Sequence, residues 1–237
     1  MKRTVVVVVV VAAVLAGCPI VGVRDGIGAP CTVDGAPCPF DHTCLPDDVS
    51  DPAGGRCAPI LDYGSCPAPA YAQKAGKVLD DDLTVDDGAD VGKLEGVTHV
   101  QGELRFEAPG PGGLLPLGDL CAVRGVQRVD GELLISELDV PTLDGLQGLA
   151  QAGGGVVVHA NGSLTDVLGL QNLVVAAALP GRDFGVLLAN NRDLDEPAIE
   201  ALKTALADSA PTVKVFACGN KNSPAAFQTC PNLNDLL

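Results

Sequence analysis

The sequence predicts a mainly β protein with some α structure: a right-handed parallel β-solenoid of about six coils, preceded by a small disulfide-rich module. Three observations predict this fold class. A short apolar triplet recurs from residue 79 onward, four cysteines crowd into residues 31–57, and aliphatic residues dominate the composition. Hydrophobic residues make up 47% of the 237 residues but aromatic residues only 3%, so the chain can fold, and its core must be aliphatic.

The charge of the chain excludes one class of partner. The formal net charge is -15, and no basic stripe offsets it. Because phosphates repel such a chain, the sequence predicts no nucleic-acid partner and no docking to anionic lipid headgroups.

Residues 1–17 are predicted to be an export signal. Lys2 and Arg3 precede an apolar run from Val5 to Val14, and small residues follow it. The run is shorter than the roughly 20 apolar residues that a membrane-spanning helix needs. We therefore expect cleavage rather than a membrane helix.

The end of this signal, Leu15-Ala16-Gly17-Cys18, resembles the lipobox of bacterial lipoproteins. The resemblance implies that Cys18 is joined by a thioether to diacylglycerol and becomes the first residue of the mature protein. Acyl chains contribute about 0.8 kcal/mol of membrane affinity for each buried CH₂ group, so two or three hold a protein at the membrane. Residues 18–30 are then the lipidated tether. Pro19 stands where an Asp is the family's signal for inner-membrane retention, so the resemblance implies an outer-membrane location in the cell envelope.

The remaining cysteines predict disulfides, because their number is even and the chain is exported. No pair has the C-x₂-C spacing of a zinc site, and the three histidines are isolated, so we expect no metal and no cofactor. The candidate disulfide cysteines are Cys31, Cys38, Cys44, Cys57, Cys66, Cys121, Cys218 and Cys230.

Residues 31–66 are predicted to be the Cys-rich disulfide module, and residues 67–78 the linker that follows it. So short a segment without a hydrophobic run cannot be stabilised by burial alone. The module loosely resembles the EGF-like and other small Cys-rich modules that follow the lipobox in many bacterial surface lipoproteins. Its first four cysteines allow three pairings, of which Cys31 with Cys44 and Cys38 with Cys57 is one.

Two further pairings follow if those four cysteines pair among themselves. Cys66 is then left with Cys121, at the start of the solenoid. Cys218 and Cys230 are twelve residues apart and could fasten the C-terminal tail over the last coil as a cap.

Residues 79–237 are predicted to be the solenoid with this C-terminal disulfide cap. Successive apolar triplets begin 21 to 30 residues apart, which is the repeat length of leucine-rich and related solenoids. Several triplets follow a turn such as Gln101-Gly102-Glu103, where we expect glycine to supply a positive φ. The triplets are Leu83-Thr84-Val85, Leu104-Arg105-Phe106, Leu133-Leu134-Ile135, Val156-Val157-Val158, Val186-Leu187-Leu188 and Val213-Lys214-Val215.

The pattern Val-x-Gly-x-Leu-x-Ile, followed by Leu-x-Gly-Leu-x-x-Leu, resembles the receptor L domain. This is the leucine-rich solenoid of the insulin and epidermal growth factor receptors, also found in bacterial surface proteins. The resemblance covers residues 79–220 and implies a binding module. The chain departs from the family in its low aromatic content and in residues 107–120, which are rich in Pro and Gly.

Later coils resemble ordinary leucine-rich repeats. Asn161 and Asn191 each fall three residues after a triplet, where stacked side-chain amides can bond the backbone of the next coil; Cys218 falls at the same distance after Val215. The alternative is that these asparagines occupy turns because they tolerate left-handed backbone.

One helix is predicted near the end of the chain. Asp195 precedes Glu196-Pro197, a typical helix start. Ile199, Leu202 and Leu206 follow at helical spacing, and the stripe ends before Pro211.

The sequence contains no catalytic motif with spacing support. The acidic run at Asp80, Asp81, Asp82, Asp86, Asp87 and Asp90 does not fit a calcium loop, and we interpret it as a solvated edge. His99 and His159 lie beside predicted strands and are interpreted as structural.

A solenoid offers a flat sheet face, which suits a protein or glycan partner better than a small substrate. We therefore predict a non-catalytic recognition or adhesion module. The alternatives are an envelope scaffold facing the periplasm and a β-solenoid enzyme acting on polysaccharide. The predicted binding face consists of the central triplet residues Thr84, Arg105, Leu134, Val157, Leu187 and Lys214.

Overall fold

The computed structural model describes residues 30–31, 42–48, 51–59, 66, 77–108, 117–221 and 230, which form mainly β structure. Within these ranges the strands belong to two parallel sheets and one antiparallel sheet, and the helices are few. None of these helices is both long enough and apolar enough to cross a bilayer. The predicted signal peptide, Cys18 and Cys38 lie outside the described residues.

The antiparallel sheet falls in the predicted Cys-rich module. Its strands are β1 (Pro30–Cys31), β2 (His42–Asp48) and β3 (Asp51–Pro59), in the order β1-β3-β2. The register places Cys44 opposite Cys57 and Cys31 opposite Gly55. The centre of the module is therefore a β-hairpin.

The two parallel sheets have five and six strands, and the chain alternates between them up to the last two strands, which both belong to the six-stranded sheet. The five-stranded sheet consists of β4 (Lys77–Leu79), β6 (Val97–Val100), β8 (Arg128–Val129), β10 (Gln151–Ala152) and β12 (Val175–Ala176). The six-stranded sheet consists of β5 (Leu83–Val85), β7 (Leu104–Phe106), β9 (Leu133–Ser136), β11 (Val156–His159), β13 (Val186–Ala189) and β14 (Val215–Cys218).

In both sheets the spatial order of the strands follows their order in the chain. We define a repeat as three consecutive parts of the chain. These are one strand of the five-stranded sheet, the next strand of the six-stranded sheet, and the connection after that strand. Each repeat therefore lies directly beside the previous one.

Five of the six predicted triplets are strands of the six-stranded sheet, but the last one was misplaced by two residues. Val215 pairs with Val186, and Phe216 pairs with Leu187, so Lys214 precedes the strand instead of occupying its centre. Apolar residues alternate along the true strand in the same way as Val213 and Val215 alternate in the predicted triplet. Periodicity alone therefore could not distinguish the true register from the predicted one.

One aliphatic core joins both sheets. It contains the inward residues of the strands, the leucines of the connecting segments and one face of the long helix. Examples are Leu133 in the six-stranded sheet, Val129 in the five-stranded sheet, and Leu146 and Leu170 in the connections, all at most 1% exposed. The leucine-rich segments therefore contribute to the interior, as expected from the sequence.

The predicted positive φ occurs at one of the glycines that precede the strands of the six-stranded sheet. Gly155, directly before β11, has a φ of 89°, whereas Gly102, Gly131 and Gly154 do not have positive φ values. Instead, a Cβ atom at Gly131 would lie 2.8 Å from Glu103 N, and one at Gly154 would lie 2.5 Å from Glu132 N. These turns need glycine because the backbones of neighbouring repeats are in contact.

Two α-helices and three short 3₁₀ helices lie among the described residues. The first α-helix, α1 (Gly88–Val91), is a single turn, and the second, α2 (Glu196–Ser209), is the predicted one. Asp195 caps α2 by accepting a hydrogen bond from Ala198 N at 3.1 Å. The stripe of Ile199, Leu202 and Leu206 is buried in the core. The 3₁₀ helices are Gly92–Leu94, Cys121–Val123 and Leu168–Leu170.

Two disulfides lie among the described residues, one between cysteines far apart in sequence and one between cysteines close together in sequence. Cys66 is bonded to Cys121 across 55 residues, and Cys218 is bonded to Cys230 across 12 residues. These are the two pairs expected from the sequence. The first ties Cys66 to the connection of the second repeat, and the second ties residue 230 to the end of β14.

Candidate interaction surface

The candidate surface is the face of the six-stranded sheet that points away from the main core. Because side chains alternate along a strand, the central residue of each strand lies on this face. The register aligns these central residues in one row across the sheet. The row consists of Thr84, Arg105, Leu134, Val157, Leu187 and Phe216.

Half of this row is covered, which corrects the predicted binding face. Leu134, Val157 and Leu187 are at most 1% exposed and form a second apolar cluster with Leu179. The connection at residues 177–185 is long enough to bring Leu179 and Phe184 onto this face. These three positions are therefore unavailable to a partner.

The last strand completes the covered half. Phe216 takes the place that was expected for Lys214, and its ring stacks on Phe184 with the centroids 4.9 Å apart. Lys214 is exposed beside the strand, where its Nζ donates a hydrogen bond to Asp183 Oδ2 at 3.1 Å. Both of these charged side chains are exposed, so this ion pair contributes little stability.

The other half of the face is polar and remains open. We define the polar half-face by Thr84, Glu103, Arg105, Glu107 and Glu132. Thr84 is exposed, and the Arg105 and Glu103 side chains are 29% and 41% exposed. This half-face carries three carboxylates and one guanidinium on neighbouring strands.

The Arg105 guanidinium is held by one of these carboxylates. Its Nε and Nη2 atoms both lie 2.8 Å from Glu103 Oε2. Burial acts to lower the pKa of Arg105, but the hydrogen bond and charge of Glu103, helped by Glu132 and Glu107, raise the pKa overall. Arg105 therefore remains charged and oriented toward Glu103.

Glu132 is the unusual residue of the polar half-face. Its side chain is only 11% exposed, and its buried Oε1 accepts no hydrogen bond. The nearest cation is Arg105, whose Nη2 lies 3.9 Å away, beyond hydrogen-bond distance. Burial raises the pKa of Glu132, the charge of Glu103 adds to the rise, and Arg105 opposes it. A carboxylate in this position destabilises the folded chain.

Replacing this carboxylate should therefore stabilise the protein. We expect Glu132→Gln to raise the free energy of unfolding at pH 7 by about 1 kcal/mol, the lower end of the cost of an unsatisfied buried polar group. Because the pKa of Glu132 is raised in the folded state, the cost of burying its charge is fully present above that raised pKa. The cost is absent below 4.5, the pKa of the unfolded chain. The gain should thus disappear as the pH falls to 4, as measured by urea unfolding at both pH values.

Glu200→Gln is the matched control for this measurement. Glu200 is an exposed carboxylate on α2 that pairs with Lys203, so its loss should change stability by no more than about 0.5 kcal/mol. A stability loss in Glu132→Gln at pH 7 would contradict the prediction, because attraction to Arg105 would then outweigh the burial penalty.

The predicted asparagines are buried and bonded between repeats. Asn161 Oδ1 accepts from Leu138 N at 2.9 Å, and Asn191 Oδ1 accepts from Asn161 N at 3.0 Å. Neither asparagine has a positive φ, which excludes the turn alternative. The third member is Asn220, whose Oδ1 accepts from Asn191 N at 2.9 Å. Cys218 was assigned this place only because the last strand was misplaced, and its sulfur is bonded to Cys230.

His159 lies between a serine and an asparagine. Its Nε2 lies 3.3 Å from Asn190 Nδ2, and its Nδ1 lies 3.3 Å from Ser136 Oγ. Burial lowers the pKa of His159 against the opposing charge of Glu137. The ring therefore links Ser136, at the end of β9, with Asn190, which follows β13.

His99 is also held by neighbouring side chains. It is buried on β6, with its Nε2 3.0 Å from Asp130 Oδ2. Arg128 donates to the other oxygen of the same carboxylate. The contacts join two neighbouring strands of the five-stranded sheet.

The acidic run lies at the surface beside β5, as expected. Asp86, Asp87 and Asp90 bring carboxylate oxygens within 4.8 Å of one another, the only such group among the residues that the structure describes. Asp87 Oδ1 caps α1 by accepting from Ala89 N, and Asp90 pairs with Lys93. Two of the three carboxylates therefore have local partners.

Comparison with known protein families gave no match, and neither did comparison with curated proteins. Function is therefore inferred from the chemistry of the sequence and of this surface.

Proposed function

We propose that the chain is a lipoprotein of the bacterial cell envelope, anchored through Cys18, and that it binds a protein or glycan partner without catalysis. In this proposal the two parallel sheets belong to a right-handed parallel β-solenoid like that of the receptor L domain. The partner binds the outward face of the six-stranded sheet.

The strand order supports the solenoid. Consecutive repeats pair with each other in parallel, and from β4 to β13 the chain passes from one sheet to the other in each repeat. The row of Asn161, Asn191 and Asn220 recurs at the same place after three successive strands of the six-stranded sheet, as the leucine-rich resemblance implies.

The open polar half-face is the observation that carries the binding function. Apolar residues on the same sheet face are covered by the chain itself, while Thr84 and Arg105 are left accessible. A flat surface of this kind favours a macromolecular partner over a small substrate. The proposed recognition site is therefore on β5, β7 and the start of β9.

The anchor is tested by Cys18→Ser. The natural chain should incorporate labelled palmitate and be shortened by the lipoprotein signal peptidase, and the variant should do neither, because serine lacks the thiol that forms the thioether. A variant that is still labelled and processed would refute the lipobox assignment.

The recognition face is tested by photo-crosslinking in intact cells. We expect a photoreactive residue at Thr84 to give discrete adducts, and the same residue at Thr204, an exposed threonine on α2, to give none. Adducts at neither position, or equal adducts at both, would refute recognition by this face. Protease digestion of intact and lysed cells then separates the two orientations: cleavage in intact cells places the domain outside, and cleavage only after lysis supports the periplasmic scaffold.

A further inference from the structure

We propose that a small cavity between the first two repeats binds a short aliphatic carboxylate. None of the residues that line this cavity belongs to the polar half-face, so the inference goes beyond the proposed recognition function. Two guanidinium nitrogen atoms without partners and a wall rich in glycine support it.

The cavity is formed by the connections of the first and second repeats. It has a volume of about 250 Å³ and opens to solvent beside the exposed residues Gly92 and Glu95. Sites for drug-sized ligands have volumes of about 300–1,000 Å³, so this cavity suits a smaller compound. Its wall consists of Val91, Gly92, Glu95 and Gly96 from the first connection and Ala122, Arg124 and Gly125 from the second.

Arg124 is the polar anchor of the cavity. Its side chain is half-buried, and its Nη1 donates a hydrogen bond to Cys121 O at 2.7 Å, which holds the guanidinium in place. Its Nε is buried without a partner. Its Nη2 has no partner among the described residues either, but this atom is not fully buried, so a ligand can reach it.

The charge of Arg124 is not neutralised within the described part of the chain. Arg105, Arg128 and Arg192 each pair with a carboxylate there, whereas no such ion pair involves Arg124. Acidic residues outnumber basic ones by 30 to 15, so an arginine without a carboxylate is unexpected. Guanidinium groups bind carboxylates through planar, charge-assisted hydrogen bonds. A bound carboxylate would therefore supply the partner that Arg124 lacks.

The other wall residues limit the size and charge of the ligand. Val91 and Ala122 contribute apolar side chains, and the glycines contribute backbone alone. A short hydrocarbon chain can therefore fill the rest of the cavity. Glu95 adds a negative charge to the wall, which disfavours a dianion such as phosphate more than a singly charged carboxylate.

Gly92 offers a way to change the cavity without removing Arg124. Its φ of -63° and ψ of -22° are helical values that other residues adopt freely, and a Cβ atom there would have no heavy atom within 4 Å. Gly92→Ala is therefore compatible with the fold. Because Gly92 lines the cavity, the added methyl group should reduce the space for a ligand.

Equilibrium dialysis of radiolabelled butyrate against the full lipidated chain in detergent tests this proposal, with detergent alone as the blank. We expect one butyrate to bind per chain with a Kd of about 1 mM. Arg124→Gln should weaken binding about tenfold, because the charge-assisted hydrogen bond is lost. Gly92→Ala should weaken it about threefold, because the cavity is smaller.

A matched variant and two competitors separate this site from weak general binding. Arg192→Gln removes an exposed guanidinium outside the cavity and should leave the affinity within about twofold. Butyramide has nearly the same size without the charge, and inorganic phosphate has the charge without the apolar chain; neither should displace butyrate. No binding of butyrate, equal weakening by Arg192→Gln, or displacement by either competitor would overturn the proposal.

Urea unfolding of the variants excludes loss of the fold as the cause of weak binding. Gly92→Ala should unfold at the same or a higher urea concentration than the natural chain. If Arg124→Gln does not fold, Gly92→Ala decides: affinity equal to that of the natural chain would overturn the proposal. The photo-crosslinking at Thr84 tests a different surface, so failure of either experiment leaves the other proposal standing.

Discussion

Asn191→Ala should lower the free energy of unfolding by about 3–5 kcal/mol. The side chain is fully buried, and both ends of its amide are used. Its Oδ1 accepts from Asn161 N, and its Nδ2 donates to Val158 O, each at 3.0 Å. Alanine would leave this N–H and this carbonyl group buried without partners, and each such group costs about 1–3 kcal/mol.

The effect should extend beyond one repeat, because the three asparagines form a connected row. Asn191 Nδ2 also lies 3.2 Å from Asn220 Oδ1, and Asn161 Nδ2 lies 3.0 Å from Asn191 Oδ1. Hydrogen bonds in such a chain polarise one another, so the row is expected to be worth more than the sum of separate bonds.

Guanidinium unfolding followed by circular dichroism measures the loss, with Asn190→Gly as the control. Asn190 is the exposed neighbour, and its Nδ2 lies 3.3 Å from His159 Nε2. Its φ is 57°, which glycine adopts without strain, so this change should stay within about 0.5 kcal/mol. A loss below about 1 kcal/mol for Asn191→Ala would show that the row does not stabilise the fold.

Local periodicity was sufficient to locate most strands of the six-stranded sheet. Triplets such as Leu133-Leu134-Ile135 carry alternate inward residues, and their spacing set the repeat. The last strand was misplaced because Val213 and Val215 fit the same alternation two residues earlier. Asn220 indicates the correct register of the last strand. It follows Ala217 at the same distance in sequence as Asn191 follows Leu188.

The five-stranded sheet could not be predicted in the same way. Three of its strands, including Arg128–Val129 and Gln151–Ala152, are two residues long, too short for any period to be visible. Their pairing depends on contacts with neighbouring repeats rather than on local preference. The Gly-containing segments after them were recognised only as turns.

The candidate surface was predicted in position but not in exposure. Alternation placed Leu134, Val157 and Leu187 on the outward face, and their covering by Leu179 comes from a distant segment. Several aliphatic residues at neighbouring outward positions themselves indicate that the face is covered. The solvent-exposed face of a sheet usually carries polar residues instead. The burial of Glu132 has no counterpart in the local sequence, since it depends on the surrounding repeats.

Gly145→Ala should lower the free energy of unfolding by at least about 4 kcal/mol, through two effects that act together. The φ of Gly145 is 106°, a backbone conformation that residues other than glycine rarely adopt. In addition, a Cβ atom at this position would lie 2.2 Å from Leu120 O. The clashing atom belongs to the backbone of the preceding repeat, so relief requires the two repeats to move apart. Thermal and guanidinium unfolding measure the loss.

Three other glycines separate the two effects. Gly169→Ala isolates the clash, since its φ is not in the positive range and its Cβ atom would lie 2.0 Å from Leu143 O. Gly181→Ala isolates the strain, with φ at 70° and no atom within 4 Å of the Cβ position, so it should cost about 1–2 kcal/mol. Gly118→Ala has neither problem and should be neutral or stabilise by up to about 1 kcal/mol. If Gly145→Ala and Gly169→Ala cost no more than Gly181→Ala, the repeats cannot be in backbone contact at these turns, and close stacking of the repeats would lose its main support.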